Sequence, residues 1–402
     1  MNTITKTILT GLLTAILFSA FIYLEYFELT NRLLNTLFGL SSLALLLYIP
    51  KQSILVAGFS IGILWFYWIG YSFEYQGVGY MTPVITLSFG FIYLLFFLPL
   101  YFTDKTYIRA LLLFGLSFIE PFDWNWLQIE LVFVESYIGL FKYQLALVLL
   151  ALTLPSFIKH KYYKYLPLLL IFTAFDYSNH TKKEAPLKIK LITTDIKQDY
   201  KWTIEARAPT IDMILSQIKI AIQEKQELVV FPESVVPLYL EKETQIMDKF
   251  LYLSKNISIV VGSLLRENHQ NYNVTYLFED GKYKIAKKLV LVPFGEYIPL
   301  PKFAQKIINE TFFSGASDFV TATKPTDFII KGVKFRNAIC YEATCAEIYE
   351  GDVEFVIATS NNAWFSPSIE PTLQNLLLKY YARKNGVTIY HSANYKGSGI
   401  IP

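Results

Sequence analysis

Cysteine, histidine and charge are all in short supply. Cys340 and Cys345 are the only thiols in 402 residues, and there are four histidines. Two cysteines cannot build a disulfide framework or a thiolate zinc site, and the scattered histidines show no H-E-x-x-H spacing, so no metal is expected. Charged residues make up 17%, where a soluble chain carries about 25%. The net charge is only +3, and no Lys/Arg run or basic stripe interleaved with aromatics occurs, which excludes the usual footprint of a nucleic-acid binder. The charge deficit is local: 18 of the 69 charged residues lie in the first 176 positions. An apolar half thus precedes a half of ordinary composition, which excludes a wholly soluble chain, a disordered one and a coiled coil. Neither internal repeats nor low-complexity segments occur.

What the first half has instead is length of apolar run. A helix needs about 20 mostly apolar residues to cross the hydrocarbon of a bilayer. Stretches 8–24, 33–50, 54–73, 83–102, 108–119, 137–157 and 163–175 give about seven spans, the fifth and last being short. The first resembles a signal peptide, but no small-residue cleavage site follows and further spans do, so it reads as a retained anchor. With a cytoplasmic N-terminus, the inner segments hold Lys6, Lys51, Lys105, Arg109, Lys159, Lys161 and Lys164, and the outer loops hold mainly acids. That Lys/Arg bias sets topology, and seven spans then place everything after Asp176 on the outer face. Charges inside the spans are nearly absent, which disfavours an ion or proton relay. The abundant aromatics read as interfacial belt and lipid-facing bulk, and 122–138, with Trp124 and Trp126 beside acids, is expected in the interface. The expected organisation is a membrane domain over 1–176, a linker over 177–186 and an extramembrane domain over 187–402.

From Leu187 short β runs alternate with amphipathic helices. Strands are expected at 188–194, 227–231, 257–261, 273–278, 283–289, 334–339, 353–359 and 387–392, with helices at 211–225 and 372–385. Glu279-Asp280-Gly281-Lys282 carries a hairpin signature. This alternation predicts a layered α/β domain. Three residues stand where such layers expose side chains. Cys340 ends an apolar strand before a helical turn, a place where a thiolate is stabilised, or else it is a buried spacer. Glu233 follows the strand of Val229-Val230-Phe231-Pro232, as a general base or as an exposed strand-end acid. Lys288 precedes Leu289-Val290-Leu291-Val292-Pro293-Phe294-Gly295-Glu296-Tyr297, as a fixed cation for an oxyanion or as a solvated edge residue. Cys345 reads as packing; a Cys340–Cys345 disulfide would abolish the nucleophile.

Together, Phe-Pro-Glu at a strand end, Lys eight residues before the Glu of Pro-Phe-Gly-Glu-Tyr, and strand–Cys-Tyr-Glu resemble the nitrilase superfamily. More closely the chain resembles its membrane branch, the apolipoprotein N-acyltransferase family. Asp195-Ile196-Lys197-Gln198 leading to Lys201-Trp202, the block 291–299 and Ser360-Asn361-Asn362-Ala363-Trp364-Phe365 add to the likeness, which covers nearly the whole chain. The resemblance implies an α-β-β-α sandwich after the multi-span helical domain. It implies Cys340 as nucleophile, Glu233 as base and Lys288 as oxyanion cation. Glu296 and Glu342 would orient the lysine and polarise the site, with Trp202, Tyr341, Trp364 and Phe365 around the substrate. Lys287 is the neighbouring alternative, but its side chain should face the other side of the strand.

The implied reaction carries a phospholipid acyl chain through a Cys340 thioester to the α-amine of a diacylglyceryl lipoprotein. It would occur at the outer face of a bacterial inner membrane, with no cofactor. Departures are Tyr381-Ala382-Arg383-Lys384 and His391, where the family has Arg-Ala-x-x-Glu and an Arg. The chain also ends at Pro402, before the further strands and last helix of the family, so its C-terminal end is expected to be truncated. Alternatives are a membrane-anchored amidase or hydrolase, and an inactive membrane scaffold.

Overall fold

Long apolar runs, interrupted at Asn31, Pro50 and Lys105, give the N-terminal part its helices. The computed structural model describes residues 2–178, 183–293, 295–297 and 319–402. The chain divides into two units, Met1–Asn179 and His180–Pro402. The first contains α1 (Thr3–Tyr26), α2 (Arg32–Tyr48), α3 (Lys51–Phe66), α4 (Thr82–Phe97), α5 (Thr106–Leu116) and α6 (Lys142–Thr153). Asn2 and Asn31 cap α1 and α2 by accepting backbone N–H bonds. α3 and α4 meet through small residues: a Cβ on Gly62 would stand 2.3 Å from the Phe89 carbonyl, so only glycine permits that approach.

Among the described residues three helical segments are long and apolar enough to cross a membrane: Thr3–Tyr26, Lys51–Tyr75 and Gly79–Phe102. Arg32–Tyr48, Thr106–Leu116 and Lys142–Ser156 are shorter apolar helices. The stretch expected as a seventh span forms the 3₁₀ helix Leu166–Ala174. The segment expected in the interface is instead largely interior: Trp126, Leu127, Ile129 and Leu131 are buried, and Trp124 packs edge-on against Phe66. Arg109 is buried too, yet its guanidinium donates to the carbonyls of Leu47, Ile49, Leu100 and Thr103, satisfying chain ends that lipid could not.

The second unit holds two five-stranded sheets. One runs β1 (Ile189–Leu191), β2 (Leu228–Val230), β3 (Ser258–Glu267), β4 (Gln270–Glu279), β5 (Lys282–Lys287), with β1, β2 and β3 parallel and the rest antiparallel. The other is ordered β10 (Gly399–Ile401), β9 (Thr388–Asn394), β8 (Phe355–Asn361), β7 (Val333–Ile339), β6 (Asp327–Ile330), with β7, β8 and β9 parallel. Leu228, Val230, Val260 and Leu277 of the first sheet join Phe335, Phe355, Ile357 and Tyr390 of the second in one core. The alternate residues Val229, Ile259, Val261 and Tyr276 pack outward with α8 (Ile204–Gln223) and α9 (Thr244–Leu253). The period of two places successive residues on opposite faces, and here both faces are covered. The short α7 (Gln198–Lys201) precedes α8, and α10 (Glu370–Asn385) buries Leu373, Leu376 and Leu377. The expected hairpin forms, with Asp280 and Gly281 at positive φ. β6, β10 and α9 are further elements beyond those expected.

Candidate active site

Parallel strands present the side chains just beyond their C-terminal ends, and two of the expected residues sit there. β2 stops because Pro232 has no N–H to continue the ladder. The chain then turns through Ser234, at φ +45°, leaving Glu233 buried at the corner. The corner lies tight against β3: a Cβ on Gly262 would be 2.5 Å from the Ser234 nitrogen and 2.8 Å from the Glu233 Cα. At the end of β7, Cys340 itself adopts φ +56°. A non-glycine residue there costs about 1–2 kcal/mol, which the surrounding structure must offset.

Glu342 secures this second corner. Its Oε1 accepts the Ile339 N–H at 2.6 Å, and its Oε2 accepts those of Leu289 at 2.6 Å and Val290 at 3.1 Å. One carboxylate thus ties the cysteine turn to the segment that follows Lys288. Burial pushes its pKa up to about 7, against the pull of Lys288 and the three N–H donors.

Lys288 follows β5 directly and is 1% exposed. Its Nζ lies 2.9 and 2.8 Å from the two oxygens of Glu296 and 3.8 Å from Glu233 Oε1. Burial disfavours the charge, but Glu296 and Glu233 more than reverse this and hold the ammonium above the ordinary lysine range. Lys287 turns the other way, paired with Glu267 and 4.0 Å from the Tyr272 ring. Burial, with Glu233 adding to it, raises the Cys340 thiol well above its usual value, and Lys288 opposes both. The resting sulfur is therefore protonated and needs a base. Both cysteines are free, and Cys345 is buried with its Sγ 3.5 Å from the Tyr341 carbonyl.

The remaining expected residues are spread more widely. Tyr341 is buried beside Cys340, and Trp202, after α7, is exposed with its ring centre 5.7 Å from Lys201 Nζ. Trp364 and Phe365 lie in the turn Asn362–Phe365 after β8. With its amide oxygen turned toward them, Asn361 accepts from Lys201 Nζ at 3.1 Å and from Trp364 Nε1 at 3.3 Å. Phe294 and residues 298–299 of the motif block lie outside the described residues.

Sequence reasoning missed three neighbours. Asn273, on β4, donates to Glu233 Oε1 at 2.7 Å, and its carbonyl accepts the Lys288 N–H at 3.0 Å. Lys201, noted only within a motif, is fully buried; it donates to the Glu233 carbonyl at 3.1 Å, and burial lowers its pKa to about 8. Gly262 admits the Glu233 corner. Only a glycine inside the apolar run of β3 could have hinted at close backbone approach. His391, where the resemblance led to an arginine, is buried and neutral. Its Nδ1 donates to the Gly397 carbonyl at 2.8 Å, which leaves Nε2 to accept from Ser360 Oγ at 2.9 Å.

Comparison with known proteins agrees over both units. The model for the apolipoprotein N-acyltransferase integral membrane domain matches residues 5–177, and that for carbon-nitrogen hydrolases matches 195–397. The chain is 45% identical over 399 residues to an apolipoprotein N-acyltransferase of Wolinella succinogenes, covering 98% of this chain and 96% of that protein. It is 39% identical over 376 residues to the Helicobacter pylori protein of that name, covering 92% and 87%. Identity to the Campylobacter jejuni protein is 36% over 409 residues, covering 100% and 90%. The two models cover the apolar helical unit and the two-sheet unit that carries the cluster, and the relatives match nearly end to end: the chain belongs to the apolipoprotein N-acyltransferase family, and its second domain is a carbon-nitrogen hydrolase fold.

Proposed function

We propose that this acyltransferase moves an acyl chain from a phospholipid, through a thioester on Cys340, to the α-amine of the diacylglyceryl-cysteine of an apolipoprotein. The observation that carries the reading is the buried Lys288 ammonium, within 4 Å of both Glu233 and Glu296 and electrostatically coupled to the Cys340 thiol. A protonated thiol beside a carboxylate and a fixed cation is the equipment of covalent acyl transfer.

Glu233 takes the Cys340 proton as sulfur attacks the ester carbonyl and the C–S bond forms. Nζ carries three protons and Glu296 engages at most two, so Lys288 can also hold the developing oxyanion. Collapse breaks the C–O bond, and Glu233 returns the proton to the lysophospholipid alkoxide. The amine then attacks the thioester, gives a proton to Glu233 and forms the amide as the C–S bond breaks. The cysteine sulfur recovers the proton. Glu296 positions Lys288, and Glu342 positions the turns on either side of it. Both substrates carry chains too apolar to leave the bilayer, which is why a membrane unit accompanies the hydrolase fold. The Lys/Arg bias of the loops supports an outer-face location in a bacterial inner membrane.

The test is direct. Incubated with labelled phospholipid, the protein should acquire a hydroxylamine-sensitive acyl group that is lost in Cys340→Ala, retained in Cys345→Ala and blocked by Glu233→Gln. A peptide with a free diacylglyceryl-cysteine amine should discharge it, and the same peptide acetylated should not. Equal loss from both cysteine variants refutes the nucleophile. Discharge by water as fast as by the peptide makes the protein a hydrolase instead.

A further inference from the structure

The start of α10 brings two polar side chains to Cys340 that the steps above leave unused. Glu370 opens the helix and Gln374 follows four residues later, on the same face. Both are 1% exposed. Gln374 has partners: its Oε1 accepts from Asn362 Nδ2 at 3.0 Å, and its Nε2 lies 3.9 Å from Cys340 Sγ. Glu370 is different. Its N–H donates to Ser368 Oγ at 3.1 Å, but its carboxyl Oε2 is buried with no hydrogen-bond partner among the described residues. That orphaned oxygen costs about 1–3 kcal/mol, which a ligand would recover. The group is near enough to Cys340 and Glu233 to interact with each, and burial together with Glu233 raises its pKa well above the usual carboxylate range.

Building on the acyl-transfer reading above, we propose that Glu370 and Gln374 form an acceptor subsite that receives the primary amine of the incoming substrate and presents it to the acyl-Cys340 carbonyl. An amine fits this place better than the donor's phosphate, whose negative charge would face Glu233. As an ammonium enters, its charge favours the ionised Glu370 carboxylate, and a proton held there leaves to water. The ammonium then hands one proton to the Glu370 carboxylate. A neutral acid beside a neutral amine results, the pairing that a desolvated site favours, and the nitrogen lone pair is free. The N–C bond forms while the C–S bond breaks, and the proton shed by nitrogen passes through Glu233 to the Cys340 sulfur. Net, one ammonium proton reaches water, one returns to sulfur and one stays on the amide.

The experiment separates the half-reactions in the full chain, using detergent micelles and labelled phospholipid. Thioester formation on Cys340 is timed first. Its discharge is then followed over a range of diacylglyceryl-cysteine peptide concentrations, for wild type, Glu370→Gln and Glu370→Asp. Glu370→Gln should form the thioester at close to the wild-type rate, which also shows that it folds. It should raise the KM for the peptide about tenfold or more, a loss of acceptor binding. Glu370→Asp should recover part of that loss. Unchanged discharge in Glu370→Gln overturns the subsite alone, and so does equal slowing of both halves, the mark of a merely structural role. A wild type that forms no thioester overturns the parent reading, and the subsite with it.

Discussion

Replacing Lys288 by methionine removes a buried cation that faces both Glu233 and Glu296. A pair of unit charges about 4 Å apart attracts by about 4 kcal/mol at an effective dielectric near 20. With contacts at 2.8 and 3.8 Å, Lys288 supplies gross attraction on the order of 10 kcal/mol, most of it offset by the desolvation of three charges. Methionine matches the stem but leaves buried Glu233 and partly buried Glu296 without it. The cost in stability should be about 3–5 kcal/mol, the range for breaking a buried pair. Thioester formation should fall by a separate factor on the order of 10²–10³, as with loss of an oxyanion donor. The two losses can be told apart by adding Glu296→Gln, which removes the stranded charge. In detergent, the double variant should regain a good part of the unfolding midpoint while single-turnover acylation of Cys340 stays slow. If stability and rate recover together, Lys288 only holds the carboxylates. If Lys288→Met alone acylates at the normal rate, the lysine has no part in the chemistry.

Other parts of the molecule give equally checkable expectations. Gly262→Ala should displace the Glu233 corner, because its Cβ would meet three backbone atoms closer than 3 Å; kcat should drop by about 10² with the protein still folded, and normal turnover would show that the corner yields. His391 is held near pKa 4 by burial, below the ordinary 6.5, so the unfolded chain binds a proton first as pH falls. Stability should decline from about pH 6.5 toward 4 by roughly 3 kcal/mol, and His391→Gln, compared by unfolding across that window, should lack this part of the decline. A reporter fused after Asp176 should be active only if it works in the periplasm, and one after Lys105 only if it works in the cytoplasm; a cytoplasmic signal after Asp176 reverses the proposed topology.

The residues legible in the sequence share a local property: each breaks its own surroundings. Glu233 follows an apolar strand and a proline, Cys340 ends another apolar run, and Lys288, beside Lys287, borders the run Leu289–Val292, where its spacing to Glu296 marks it. The residues that escaped notice obey their local rules. Asn273 and Thr275 look like the polar side of a half-exposed strand, yet both are buried because β4 is covered on both faces. Lys201 sits in a polar segment that reads as solvated, yet its ammonium is buried against the Glu233 carbonyl and Asn361. Glu370 is the most thoroughly concealed. A glutamate opening a helix is what the macrodipole favours anywhere on a protein surface, and nothing within ten residues of it reports that this helix begins beside the Cys340 sulfur. The membrane half fails in the opposite sense. Its apolar runs are conspicuous, but hydropathy measures apolar length and not the path of the backbone, so 122–138 reads as interfacial while Trp126, Leu127, Ile129 and Leu131 fold into the interior. Composition identifies which segments shun water; whether they shun it in lipid or against one another is decided by packing that no local window contains.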